Sequence, residues 1–148
     1  MSTNLTPGDG QDLFARLKAS WEARDPDRFV ELFSTEAEAR VDPFEQPLRG
    51  ANDLRAHWNA FAAERVHAEF DAERVWVVGR TVLGSFHAAS TARATGDTER
   101  VRGFMTLELD DAGLITRLRQ WSVAQVVGRE GSFDAGAPGG RREEGSDG

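Results

Sequence analysis

The chain has no cysteine and no tyrosine in 148 residues. The first absence excludes disulfides, thiolate nucleophiles and every zinc or iron–sulfur site that needs a thiolate. The second excludes a phenol as proton donor or oxyanion partner. Lysine occurs once, at Lys18, so Schiff-base chemistry has a single candidate amine. Three histidines, His57, His67 and His87, are the whole imidazole stock. Their spacing forms neither a His-Glu-x-x-His pattern nor a facial triad, so no metal site is expected. There is no Gly-rich phosphate loop and no serine elbow. No apolar run approaches the roughly 20 residues that cross a bilayer. The first ten residues lack a basic segment followed by an apolar one, so no secretory signal is read and a cytoplasmic location is expected.

What is present suits one folded domain. Apolar residues make up 39%, and 15 glycines bring the total near the globular norm. The net charge of −7 disfavours nucleic acid and anionic membrane surfaces as partners. Arginine greatly outnumbers lysine, and Ala, Gly and Asp abound, which fits GC-rich coding and a bacterial source. Both ends read as disordered tails, 1–9 and 128–148. The second is rich in glycine, with Phe133 its one large hydrophobe, and buries too little to offset its ordering entropy. A domain over 10–127 remains.

Leu13, Phe14, Leu17 and Trp21 recur at helical spacing and predict a helix over 10–24. Asp25-Pro26 is an N-cap followed by proline at the first helical position, opening a short helix that buries Phe29, Leu32 and Phe33. A short strand is expected over 38–42, ending at Pro43. A third helix over 51–64 carries Leu54, Trp58 and Phe61 on one face. Strands follow over 66–78, 81–93, 98–109 and 114–125, separated by Gly79-Arg80, Thr95-Gly96-Asp97 and Asp110-Asp-Ala-Gly113. Helices first and an antiparallel meander afterwards make the fold α+β, with helices packed on one face of the sheet.

Several residues in this order resemble the nuclear-transport-factor-2-like superfamily, in particular its SnoaL-like and ketosteroid-isomerase-like branch. They are Trp21 to Asp25, Phe29-Val-Glu-Leu-Phe33, Asp42-Pro43, Pro47-Leu-Arg-Gly50 with His57-Trp58, and the hairpin from Arg102 through Asp110-Asp-Ala-Gly113 to Trp121. The resemblance implies a cone: a curved antiparallel sheet wrapped around the N-terminal helices, with an apolar pocket at its open end. It also implies a homodimer through the outer sheet face. Alternation assigns inward rows. On 81–93 the row is Val82, Gly84, Phe86, Ala88 and Ser90, which leaves His87 outward. On 98–109 it is Val101, Gly103, Met105, Leu107 and Leu109. On the last strand the resemblance favours Leu118, Gln120 and Ser122 inward, against a rival apolar row of Ile115, Trp121 and Val123. The expected ligand-binding set is Leu17, Trp21, Arg40, Phe44, Trp58, Phe61, Phe86, Met105, Leu118 and Gln120.

Asp42 is the candidate general base. In ketosteroid-isomerase-like members the aligned residue is the catalytic aspartate, in the same Asp-Pro context, and an apolar neighbourhood would raise its pKa toward a useful value. The competing reading is a turn-forming Asp-Pro. Arg40 would share its face, either pairing with Asp42 or holding an anionic group of a ligand. The oxyanion site of those enzymes is missing: Leu17, Trp58 and Met105 stand where the resemblance implies acidic groups. Epoxide-hydrolase-like members hold a water with a tyrosine and an asparagine, which Arg40 and Asp42 do not reproduce. Gln120, Phe86 and Ala88 likewise replace their catalytic set. His57 is expected at the rim, because Trp58 has the better claim to the inner face.

Two functional readings follow. In the first, the chain binds a small hydrophobic molecule without catalysis or with an unidentified activity. In the second, it catalyses proton transfer, cyclisation, isomerisation or dehydration of a hydrophobic carbonyl compound with Asp42 as base. Neither needs a metal or an organic cofactor.

Overall fold

Leu13, Phe14, Leu17 and Trp21 are all buried by one helix, α1 (Pro7–Ala23). It starts earlier than the periodicity predicts, because Thr6 and Asp9 cap it reciprocally. The Thr6 hydroxyl accepts from the Asp9 N–H at 3.1 Å, and the Asp9 carboxylate accepts from the Thr6 N–H at 2.8 Å. The structure, a computed structural model, describes residues 4–129. The expected disorder over 1–9 is therefore corrected from Asn4 onward: the Leu5 N–H donates to the Gly79 carbonyl at 2.9 Å, and Leu5 packs on the core. Residues 1–3 and 130–148 of the two expected tails lie outside the described residues, whereas Gly128 and Arg129 continue the last strand.

Asp25 caps α2 (Pro26–Val30) by accepting from the Asp27 and Arg28 N–H groups, as its Asp-Pro pair predicts. β1 (Phe33–Arg40) starts at Phe33 rather than Glu38 and ends before Asp42. A two-residue strand, β2 (Leu48–Arg49), precedes α3 (Gly50–Glu64). The four long strands, β3 (Arg65–Val78), β4 (Thr81–Ala92), β5 (Asp97–Leu109) and β6 (Ile115–Arg129), form the expected meander. The sheet order is β2-β1-β6-β5-β4-β3. One pairing departs from the antiparallel expectation: β1 lies parallel to β6, with Ala39 opposite Leu118 and Arg40 opposite Arg119.

The inner face of the sheet is the face the alternation selects. Val82, Gly84, Phe86, Ala88 and Ser90 are buried on β4, as are Met105, Leu107 and Leu109 on β5. The two rival rows of β6 are reconciled by a bulge. Glu108 opposes Arg117 but Leu109 opposes Ile115, so one extra residue of β6 is absorbed there. Ile115 and Leu118 can then both point inward, at 0% and 6% exposure. Beyond the bulge Leu118 and Gln120 stay inward and line the interior, and Trp121 and Val123 are exposed. Ser122, expected inward, is exposed.

One glycine sets how closely α1 lies on the sheet. A Cβ at Gly84 would sit 2.4 Å from Phe14 Cζ and 2.8 Å from its Cε2. Phe14 is buried and stacks on Phe70 with ring centroids 6.2 Å apart, so its ring has no room to withdraw. Gly84→Ala is expected to lower stability by about 1–3 kcal/mol in urea denaturation, at an unchanged m value. An unchanged midpoint would show that the Phe14 ring gives way freely.

The C-terminal end of α3 has no basic residue in its own last turn. Its carbonyls are satisfied from elsewhere. Arg24 donates to the Ala62 and Arg65 carbonyls at 2.8 Å each, and the Arg93 Nε donates to Ala63 at 3.0 Å. These bonds tie the ends of α1, α3 and β4 together.

Candidate functional site

The inner faces of α1, α3 and the sheet do not close perfectly on one another. Between them lies a cavity lined by Leu17 and Trp21 of α1, Phe29 of α2, Phe33 and Ala39 of β1, Val41, Leu54 and Trp58 of α3, Met105 of β5, and Leu118 and Gln120 of β6. Gln120 is its one polar side chain. The void measures about 10 Å³, space for one water at most. Aromatic rings fill the rest. Phe29 stacks face to face on Trp58, with centroids 3.6 Å apart and planes 6° from parallel. Trp21 meets Trp58 edge-on at 5.2 Å and Phe29 edge-on at 5.9 Å.

Six of the ten expected binding residues meet at this cavity: Leu17, Trp21, Trp58, Met105, Leu118 and Gln120. Four do not. Phe86 points inward as expected but is fully buried beside Trp21 and Phe70, too deep to touch the void. Phe61 is half-buried and packs edge-on against Trp21 and Trp58 from outside the lining. Phe44 is 95% exposed on the loop after β1. The Arg40 guanidinium donates to the Glu45 carbonyl at 2.6 Å, so it fastens that loop and turns away from the cavity. Phe29, Phe33, Ala39 and Val41 were not expected in the lining. The alternation Ala37, Ala39, Val41 is the signal that places two of them, once the strand is begun at Phe33.

Asp42 follows the lining residue Val41 but does not itself line the cavity. Its side chain is exposed, and its Oδ1 accepts from the Phe44 N–H at 2.9 Å. Its carbonyl accepts from the Glu45 N–H at 3.1 Å. This is the turn geometry that Asp-Pro favours. Val41 and Asp42 to Phe44 face Gly103, Phe104 and residues 121–123 across an open depression of about 520 Å³. Val41 lines both spaces, so the depression adjoins the inner cavity through one side chain. Of the two alternatives for Arg40, the pairing with Asp42 is not formed; each side chain bonds to the loop backbone.

The remaining titratable candidates are occupied elsewhere. Lys18 donates to Asp71, Glu22 and the Phe70 carbonyl, each at 2.9 Å. These bonds, to Asp71 first and Glu22 second, raise its pKa, opposite to what a Schiff-base amine needs. The Lys18 bond holds the Glu22 carboxyl below its usual range, and Glu22 in turn accepts from the Phe70 N–H at 3.0 Å. His87 points outward, 3.2 Å from Glu73 and 3.7 Å from Asp71. His67 is exposed on β3 at φ 54. Among the described residues, no group of three or more His, Asp or Glu could hold a metal ion. No helix of the described residues is long and apolar enough to cross a membrane.

His57 is half-buried and edge-on to Trp58 at 5.1 Å. Burial lowers its pKa from the usual value. The folded state therefore binds the proton less readily than the unfolded chain. His57 contributes no penalty above about pH 6.5, and stability falls as the pH drops below that value toward its folded pKa. Melting curves between pH 7.5 and 5 are expected to show this loss, and His57→Gln to reduce it. Identical slopes in the two proteins would show that His57 is hydrated in both states.

The chain belongs to the SnoaL-like domain family, whose model matches residues 14–118. No curated protein matches the chain at a significant level. Solved structures of the same fold include SalBIII, an epoxide hydrolase/cyclase-like enzyme in pyran ring formation in the polyether salinomycin. It is 15% identical, over 80% of this chain and 96% of that one, with a TM-score of 0.72. RV0760c from Mycobacterium tuberculosis is 16% identical over 82% and 99% of the two chains, with a TM-score of 0.70. Its complex with estradiol-17beta-hemisuccinate is 17% identical over 76% and 92%, with a TM-score of 0.67. At these identities the likeness establishes the cone-shaped α+β fold.

Proposed function

We propose that this SnoaL-like domain protein binds a small hydrophobic molecule between its helices and its sheet, with no metal or organic cofactor. The observation that carries the reading is the lining, ten apolar side chains converging with one amide, Gln120. Such a site suits a steroid- or polyketide-sized apolar body with a carbonyl or hydroxyl for Gln120 to orient. The complex of RV0760c with a steroid ester supports a ligand of this class in a cone of this shape. The void of about 10 Å³ means that the ligand enters by displacing rings, with Phe29 and Trp58 the first to move. A net charge of −7 supports a neutral ligand over nucleic acid. The exposed outer-face aromatics Trp76 and Trp121, with Phe104 between them, support a homodimer through that face. The setting is the cytoplasm of a bacterium.

Tryptophan fluorescence tests the reading. Trp21 and Trp58 line the cavity, whereas Trp76 and Trp121 are on the surface. In a Trp76→Phe/Trp121→Phe background, titration with steroids and aromatic polyketides is expected to change the remaining emission saturably and raise the Tm. No response in either measurement across the panel would end the proposal.

A second reading, an enzyme acting on a hydrophobic carbonyl compound with Asp42 as base, draws support from one observation. The Asp42 carboxylate borders the depression that Val41 joins to the cavity. Acting as a base requires Oδ1 to exchange its bond with the Phe44 N–H for a substrate proton. Asp42→Asn keeps the turn and removes the base. If the chain turns over a panel compound, this variant is expected to retain binding and lose at least about 100-fold in kcat. Undiminished turnover would remove Asp42 from the mechanism.

A further inference from the structure

Among the described residues, the strand edges of β3, β2 and β6 differ in how they are guarded. β3 is broken by register shifts between Val66 and Glu69 and between Ala72 and Arg74. It carries His67 at φ 54 and a run of charges: Arg65, Glu69, Asp71, Glu73 and Arg74. β2 is two residues long and includes Arg49. Bulges, charges and shortness are the devices that stop a strand edge from recruiting another strand. The third edge belongs to β6. β1 covers it only as far as Arg40 opposite Arg119, and from Gln120 onward β6 pairs with β5 alone. The register shift beside Val126 ends the regular stretch. The stretch between, Gln120-Trp-Ser-Val-Ala-Gln-Val126, has no charge, no proline and no glycine. Every residue from Trp121 to Val126 is exposed, Val123 at 74% and Val126 at 62%. Among the described residues, the nearest cover is the loop Val41–Phe44, which stands off across the open depression of about 520 Å³.

We propose that Gln120–Val126 pairs antiparallel with the same segment of a second copy, joining two six-stranded sheets edge to edge. An added strand must itself have a free edge, and this chain supplies one in the segment itself. A two-fold axis lets one segment meet itself antiparallel, so each copy both donates and accepts the same bonds. Neutrality matters for a chain of net charge −7. Two copies repel at long range, but no like charges face one another across this axis. The pairing sets Val123 of one copy directly opposite Val123 of the other, with Trp121 opposite Gln125 and on the same face as Val123. The edge pairing runs through the backbone of β6 and shares only Trp121 with the outer-face contact, whereas Trp76 and Phe104 belong to that contact alone.

Amide hydrogen exchange on the full chain, over an about 100-fold range of protein concentration, tests the pairing. The amides of residues 121–126 that face away from β5 are expected to slow by at least about 10-fold as concentration rises, in step with a doubling of mass in sedimentation. Val123→Lys with Val126→Lys should abolish that slowing, with the melting temperature unchanged at the dilute end of the range, where the chain is monomeric and both side chains are exposed. Trp76→Arg, on the outer face away from this edge, should leave it intact. The absence of native cysteine gives a second measurement. Among single variants Ser122→Cys, Val123→Cys and Ala124→Cys, at least one should form a disulfide-linked dimer on mild oxidation. Fast exchange at every concentration, protection independent of concentration, protection that survives the two lysines, or no cross-linked dimer would each overturn the proposal.

Discussion

Trp21→Ala is expected to destabilise the chain by about 3–5 kcal/mol, with a fall in Tm of about 10–20 °C. Trp21 is where the aromatic core converges. Its ring lies 4.7 Å from Phe70, 5.2 Å from Trp58, 5.9 Å from Phe29 and from Phe61, and 6.2 Å from Phe86. These rings come from α1, α2, α3, β3 and β4, so the hole left by truncation lies between helices and sheet, where no single element can collapse to fill it. A domain of this size has about 5–15 kcal/mol in total, so the variant loses a large share of its stability. Trp21→Phe keeps one ring in the cluster and should lose less than half as much. Trp76→Ala is the reference for an exposed tryptophan, and should cost no more than about 1 kcal/mol. A Trp21→Ala loss close to that of Trp76→Ala would mean that the cluster does not carry the core.

The parts of the fold readable from sequence are those set by local period. The face of α1, the caps at Asp25-Pro26 and the inward rows of β4 and β5 follow from spacing along one element. The parts that were not readable depend on a distant partner. Phe33-Ser-Thr-Glu-Ala-Glu-Ala-Arg40 has little intrinsic strand character. It is a strand because it lies parallel to β6, with Phe33 opposite Ile115 and Ala39 opposite Leu118. The β6 bulge is of the same kind. It makes Ile115 and Leu118 share a face that strict alternation denies them, and nothing in the local residues announces it.

The site divides along a similar line. Parity along a strand tells which way a side chain points but not how far along the cone it sits. Phe86 therefore has the predicted direction and the wrong depth. Asp42 is governed by two competing signals. The Asp-Pro pair carries a turn signal and a resemblance to a catalytic aspartate, and the two predict opposite positions for one carboxylate. The local preference prevailed: Oδ1 caps the Phe44 N–H in solvent, and Phe44 is carried out with the loop. Arg40 reinforces the outcome by binding the Glu45 carbonyl.

Phe29→Ala is expected to lower the stability of the ligand-free chain by about 3–5 kcal/mol and to turn the closed cavity into an open one. Phe29 is 1% exposed, and its ring covers the face of Trp58 at 3.6 Å. Removing it adds a phenyl-sized space to a void of about 10 Å³, and apolar cavities of that size stay dry and take up small aromatic molecules. A ligand that binds only the folded state returns about 2.7 kcal/mol at a concentration of 100 Kd, so Tm reports occupancy directly. Small aromatic compounds should raise the Tm of Phe29→Ala more than that of the unaltered chain, because the unaltered chain must first displace the ring. Phe70→Ala serves as the comparison: it is as deeply buried but does not line the cavity. If both variants respond alike, any hole in the aromatic core binds such compounds and the cavity has no special standing. If neither responds, the surrounding rings have collapsed into the space and the ligand-binding reading loses its physical basis. A response confined to Phe29→Ala would identify the Phe29–Trp58 stack as the barrier that a natural ligand has to open.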